Sequence, residues 1–214
     1  MGILIIDRQH GEKRPGTFDP GCQAIVDGVR IIETELTEEY GRTIEKVATD
    51  AGHAVIWIVS GSYSERQKQA NQIARDAKGK KVLYLALHVN AGGGAYAMAM
   101  HDAKSKGGRA AAEVLAKAME PLDGISSSKV VGCETVGWTR RAFYCIKGIW
   151  KGPANISGVL LEPFFIDSKL GVHDRYRTSE GLAELGSAIG AGAVEYLGPV
   201  KKAAKKKPAK KPAA

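Results

Sequence analysis

The sequence predicts a three-layer α/β domain: a mostly parallel central sheet flanked by helices, in a single domain that ends in a disordered basic tail. Three observations carry this expectation. Short apolar runs alternate with longer segments of helical periodicity, the pattern of successive strand and helix units. The apolar runs read as buried strands, which a sheet covered on both faces requires. Of the 214 residues, 44% are hydrophobic, enough to bury one sizeable core.

In chain order, Ile3 to Ile6 is the first strand, four aliphatic residues in a row. IIETELTEEYGRTIEKVATDAG follows with apolar positions at helical spacing, and the helix spans Glu33 to Ala51 before an Ala-Gly turn. Ala54 to Val59 is a second strand, Ser64 to Ala77 a helix, and Val82 to Leu87 a third strand that runs into His88 and a glycine cluster. Gly107 to Met119 is helical, Cys133 to Ile149 is expected to supply a further hairpin or strand pair, Gly158 to Leu161 is a strand, and Ser179 to Tyr196 is the last helix. The folded domain is therefore expected over residues 1–198 and the tail over 199–214.

Charge is unevenly spread. The net charge is +8, but seven of the 31 basic residues lie in VKKAAKKKPAKKPAA, and the remaining 24 face 23 acidic ones. The tail is too polar and too interrupted by proline to bury a core. Its lysines suit an anionic polymer, such as an anionic cell-envelope polymer or nucleic acid, and nearly equally suit a solvated, weakly interacting tail; the near-neutral domain carries no nucleic-acid motif, which argues against nucleic acid. Three cysteines, at spacings that fit neither a zinc ribbon nor a redox pair, are expected to be reduced thiols. No segment reaches the roughly 18 apolar residues of a membrane span, and the N-terminus has no secretory leader, so synthesis in the cytoplasm is expected.

The chemistry-bearing residues gather at strand ends. Of five histidines, His10 follows the first strand and His88 ends the third, which puts both imidazoles on the carboxyl rim of a parallel sheet, where ligands bind. His53 precedes a strand and belongs to the opposite rim, while His101 and His173 lie in loop-like sequence. Two imidazoles on one rim suit metal ligation and equally suit satisfied polar residues. Among the acids at the helix start, Glu33 shares the stripe of Leu36, Tyr40, Ile44 and Ala48 and so faces the sheet, whereas Glu35 points to water with Arg42 and Lys46. Glu162 ends the apolar strand GVLLEPFFID, where a carboxylate must be ion-paired, metal-linked, or an acid/base group with a raised pKa.

Together these motifs carry a resemblance. IIDRQHG, Glu33 with Thr37, SYSERQKQAN, YLALHVNA and VLLEPFFID occur in the same order as motifs of the zinc-dependent N-acetylmuramoyl-L-alanine amidases, which cut bacterial peptidoglycan. The resemblance implies Zn²⁺ on His10, Glu33 and His88, Glu162 as the catalytic acid/base, and a peptidoglycan substrate. The sequence departs from the family at Gln9, where glycine is usual, and in the loop between His10 and Glu33. With no leader, the chain is expected to be a phage or prophage lysin acting on the wall after the membrane is permeabilised, the alternatives being a truncated chain or a non-classical exporter. Asn90 and Gly92 to Gly94 are expected either to shape the rim or to form a simple loop. The competing readings are a carboxypeptidase or other zinc amidohydrolase on a small substrate, a polyanion-binding protein acting through its tail, and a catalytically dead wall-binding domain. The close HxxE spacing that a carboxypeptidase would show is missing at His10 and His88.

Overall fold

The computed structural model describes residues 1–133, 144–168 and 172–200. The strands are β1 (Ile3–Arg8), β2 (Gly11–Arg14), β3 (Thr17–Asp19), β4 (Gln23–Val26), β5 (Val29–Ile32), β6 (Ala54–Ile58), β7 (Val82–Leu87), β8 (Ala97–Asp102), β9 (Ser128–Cys133) and β10 (Ile156–Glu162). The helices are α1 (Glu33–Asp50), α2 (Tyr63–Asp76), α3 (Lys106–Met119), α4 (Lys147–Trp150), α5 (Val172–Tyr176) and α6 (Ser179–Leu197).

Six strands form the central sheet in the order β6-β1-β7-β10-β8-β9. The first four are mutually parallel, β8 runs antiparallel to β10, and β9 pairs parallel with β8. The sheet is thus mostly parallel, as expected, with its direction reversed at one edge. Residues of alternate parity feed two cores. Leu4, Ile6, Leu83, Leu85 and Leu161 face α1, α3 and α6, while Ile5, Val82, Tyr84, Ala86 and Leu160 face α2 and α4. A strand buried on both faces has no polar alternation to show, which is why β7 reads as a continuous apolar run.

The helix starts have identifiable causes. Ser62 and Glu65 form a reciprocal capping box on α2, and Ser105 and Thr178 cap α3 and α6. Helix α1 has no side-chain cap; its first N–H groups donate instead to the carbonyls of Cys22 and Pro20, at 3.0 and 3.2 Å. The Glu33 side chain is thereby left free to point away from its own helix. Helices α1 and α6 approach closely because Gly190 sits against Val47, where a Cβ would fall 2.8 Å from the valine.

Three expectations are corrected. His101 lies in β8, which AMAMHD did not announce because alanine and methionine favour helix as readily as strand. The hairpin expected over Cys133 to Ile149 is not what its described ends form: Cys133 closes β9, Lys147–Trp150 is a helical turn, and residues 134–143 lie outside the described set. His173 falls within the short helix α5 rather than a loop. The last helix ends at Leu197, and residues 201–214 of the tail lie outside the described residues. No helix among the described residues is long and apolar enough to cross a membrane.

Candidate metal centre

Strand register assembles the site. Arg8 lies beside Leu87 and Leu87 beside Leu161, so the residues just beyond them, His10, His88 and Glu162, emerge together at the carboxyl rim. The end of β1 is fixed from below by a buried network. The Arg66 guanidinium, fully buried, donates to Asp7 Oδ1 at 2.7 Å and to the Arg8 carbonyl at 2.5 Å. Tyr84 donates its hydroxyl to the other Asp7 oxygen, and Gln9 donates to Asp7 and Tyr84 at 2.5 and 3.0 Å. Gln9, unusual before a first histidine, is therefore tied into this network, and its Oε1 has no partner among the described residues.

His10, His88 and Glu33 converge above this base. Nε2 of His10 lies 3.2 Å from Nδ1 of His88 and 3.3 Å from Oε1 of Glu33, and Nδ1 of His88 lies 3.1 Å from the same oxygen. The three atoms form a nearly equilateral triangle. Tetrahedral ligands with bonds of about 2.0 Å stand about 3.3 Å apart, so two imidazoles and a carboxylate at this spacing suit a small divalent cation. Among the described residues this is the cluster of histidine and carboxylate donors placed to hold an ion.

Each donor is held by further contacts. Glu33 is 2% exposed; it accepts from the N–H of Val89 on Oε1 at 2.8 Å and from the N–H of Cys22 on Oε2 at 2.7 Å. Burial pushes its carboxyl upward, but hydrogen bonds and charge from His10 and His88 outweigh this and hold it well below the ordinary range. Gly21, at φ +75°, leaves room for this carboxylate; a side chain there would collide with it. Glu35 is exposed. Nδ1 of His10 lies 3.0 Å from Asp19 Oδ2. Burial raises the Asp19 carboxyl, yet bonds from Lys13, the Gly21 N–H and His10 bring it down to about 2. His88 donates its N–H to the Leu161 carbonyl, and its own carbonyl accepts from the Tyr40 hydroxyl, both at 3.0 Å. Its Nε2 lies 3.7 Å from Cys145 Sγ. Burial lowers the imidazole's proton affinity, but Cys145 and Glu33 more than reverse this, so His88 holds a proton well above its ordinary value when no cation is present.

Glu162 is half-buried, and its side chain makes no hydrogen bond or ion pair among the described residues. Burial raises its pKa, the His88 charge lowers it, the Glu33 charge raises it, and the net shift is upward. The glycines after His88 form a held loop. The N–H groups of Gly92 and Gly93 donate to Asp167, and Gly94 lies so close to Phe165 that a Cβ would fall 2.5 Å from the ring. Sequence reasoning did not single out Asp19 or Cys145. Asp-Pro-Gly in the loop after His10 was a turn signal for the first; the second had none, because its approach to His88 exists only in space.

His53 and His101 stand apart from the cluster. Nδ1 of His53 accepts from the Gly2 N–H at the opposite rim, and His101 is buried with its Nδ1 on the Asp102 carbonyl. None of the three cysteines is in a disulfide among the described residues.

Among solved structures, the chain is similar to Cwp6 from Clostridium difficile, with a TM-score of 0.68 and 20% identity. That match covers 90% of this chain but only 28% of the other. It is also similar to the N-acetylmuramoyl-L-alanine amidase AmiC2 of Nostoc punctiforme, at TM-score 0.67 and 17% identity over 92% of this chain and 97% of that one. An endolysin catalytic domain targeting Clostridia Difficile matches at TM-score 0.58 and 17% identity, over 88% and 97% of the two chains. These likenesses show the fold. No family model matches the sequence, and no curated protein matches it.

Proposed function

We propose that this chain is a zinc hydrolase that cleaves the amide between the lactyl group of N-acetylmuramic acid and the L-alanine of the peptidoglycan stem. One observation carries the reading: the triangle of His10, Glu33 and His88 stands beside a raised-pKa Glu162 that is unpaired among the described residues, on a fold similar to that of amidases.

When bound, zinc supplies Lewis acidity to the scissile carbonyl and to the attacking water. The rest falls to side chains. Asp19 accepts from Nδ1–H of His10 and so presents the Nε2 lone pair to the site. Glu33 stays anionic because two backbone N–H groups and its neighbours stabilise the charge. Glu162, whose side chain has no partner among the described residues to compete for it, takes the proton of the attacking water and delivers it to the departing alanine nitrogen. Its upward shift suits a group that must both receive and release a proton near neutral pH.

The test is a digest of purified peptidoglycan with mass analysis of the fragments. Free stem peptides beginning with L-alanine are expected, abolished by a chelator and restored by zinc. Fragments cut elsewhere, or full activity after verified metal removal, would overturn the reading. A lytic, endolysin-like role is the finer proposal, supported by the likeness to an endolysin catalytic domain. It predicts lysis of permeabilised cells and none of intact ones.

A further inference from the structure

A cleft separate from the donor triangle lies between α2 and α4. It encloses about 650 Å³, within the roughly 300–1,000 Å³ of small-ligand sites. Tyr63 and Tyr144 line it together with Lys68, Lys147 and Lys151, and no aspartate or glutamate is among its described lining residues. Lys68 and Lys151 are exposed and make no ion pair among the described residues.

The cleft is built rather than incidental. Gln67 donates to the Tyr144 carbonyl and accepts from the Gly148 N–H, both at 2.5 Å, and Asn71 donates to the Gly148 carbonyl at 2.8 Å. Gly148 sits so close to Gln67 that any side chain there would collide with its amide. The two walls are thus fixed to each other before anything binds.

Both tyrosines lead to the donor triangle. The Lys13 ammonium lies 5.1 Å from the Tyr63 ring centroid and pairs with Asp19 at 2.5 Å, and Asp19 holds His10. Tyr144 immediately precedes Cys145, whose sulfur is 3.7 Å from His88.

We propose that this cleft binds the stem-peptide side of the substrate, its lysines facing the free carboxylates beyond the alanine. The inference rests on the amidase reading. On one side of the scissile amide lies a neutral N-acetylated sugar, to which lysines offer no charge pairing; on the other lies a peptide bearing carboxylates. The exposed Lys68 and Lys151, with no aspartate or glutamate among the described lining residues, complement the second side and not the first.

The experiment measures binding of a synthetic stem tetrapeptide that begins with L-alanine to the zinc-loaded protein by calorimetry. The same peptide with its carboxylates amidated, and inorganic polyphosphate, serve as comparisons. The free-acid form should bind more tightly than the amidated one, and K68Q/K151Q should weaken it about fivefold to tenfold at low salt. On soluble muropeptides the double variant should lose kcat/KM through KM. Equal binding of both peptides, an unchanged affinity in K68Q/K151Q, or competition by polyphosphate as strong as by the peptide would overturn the assignment. A wild-type protein that binds the free-acid peptide selectively but releases no stem peptides from peptidoglycan would instead refute the amidase reading alone.

Discussion

The proposed mechanism divides the residues of the site into those that would touch the reacting atoms and those that would hold them, and the two kinds should fail differently. Glu162→Gln keeps the shape of the side chain and removes its proton affinity, so zinc binding should persist while turnover falls about 10²- to 10⁴-fold. Zinc content by atomic absorption, together with muropeptide release, checks this; a near wild-type rate would remove Glu162 from the mechanism. Cys145→Ala takes away the group opposite Nε2 of His88 and leaves the triangle's own atoms in place. Loss of such an outer partner costs about 10- to 100-fold in metal affinity, read by competition with a chromogenic chelator. An unchanged affinity would mean that the strand and the Tyr40 bond alone orient the ring. At this scale the sequence was informative where local phase decides direction: the α1 stripe put Glu33 toward the sheet and Glu35 toward water, and the structure has one buried against two imidazoles and the other exposed. For Asp19 it offered only the Asp-Pro-Gly turn, and it was silent about Cys145, because their roles are contacts in space, 9 and 57 residues from the rings they meet.

At the scale of elements, the loop after β7 and the turn after β10 are joined by a carboxylate. Asp167 accepts from the Gly92 and Gly93 N–H groups, and although burial raises its pKa these bonds outweigh it and leave the carboxyl below its ordinary 3.8. A depressed carboxyl contributes stability that is present above the unfolded value and lost as the pH falls through the folded one. Asp167→Ala should therefore melt below the wild type at pH 7, and the gap should close as the pH drops below 3.8. Melting curves by circular dichroism across that range decide it, and a pH-independent gap would assign the loss to packing rather than to the charged cap. The elements themselves were legible in proportion to how strongly their residues prefer one state. Aliphatic β1 and β7 and the periodic α1, α2, α3 and α6 stand close to their expected limits. Strand β8, built from alanine and methionine, and the two hairpins between His10 and Glu33 were missed, the hairpins because short exposed strands bury little and leave little pattern.

For the whole molecule, charge and architecture are separable. The folded domain is nearly neutral, and the lysines after Val200 supply most of the excess positive charge. Removing 201–214 should weaken co-sedimentation with purified cell walls at low salt and change little at high salt, because exposed charges are screened within about 10 Å at 0.1 M. Equal sedimentation of the two forms at low salt would make the tail a bystander. The three-layer fold followed from the alternation of apolar runs and periodic segments, whereas the reversed edge of the sheet had no sequence signature, since strand direction depends on a connection's path. The spacing of the donors also sets an order of events. His10, Glu33 and His88 come from a strand end, a helix start and another strand end, and none lies within a local chelating pair. The nascent or unfolded chain consequently holds no preformed claim on a divalent ion. Under the proposed zinc reading, capture would wait until β1, β7 and α1 have docked, so the ion would lock a finished fold rather than nucleate one, and the supply of free metal would govern how long the native state lasts rather than whether it is reached.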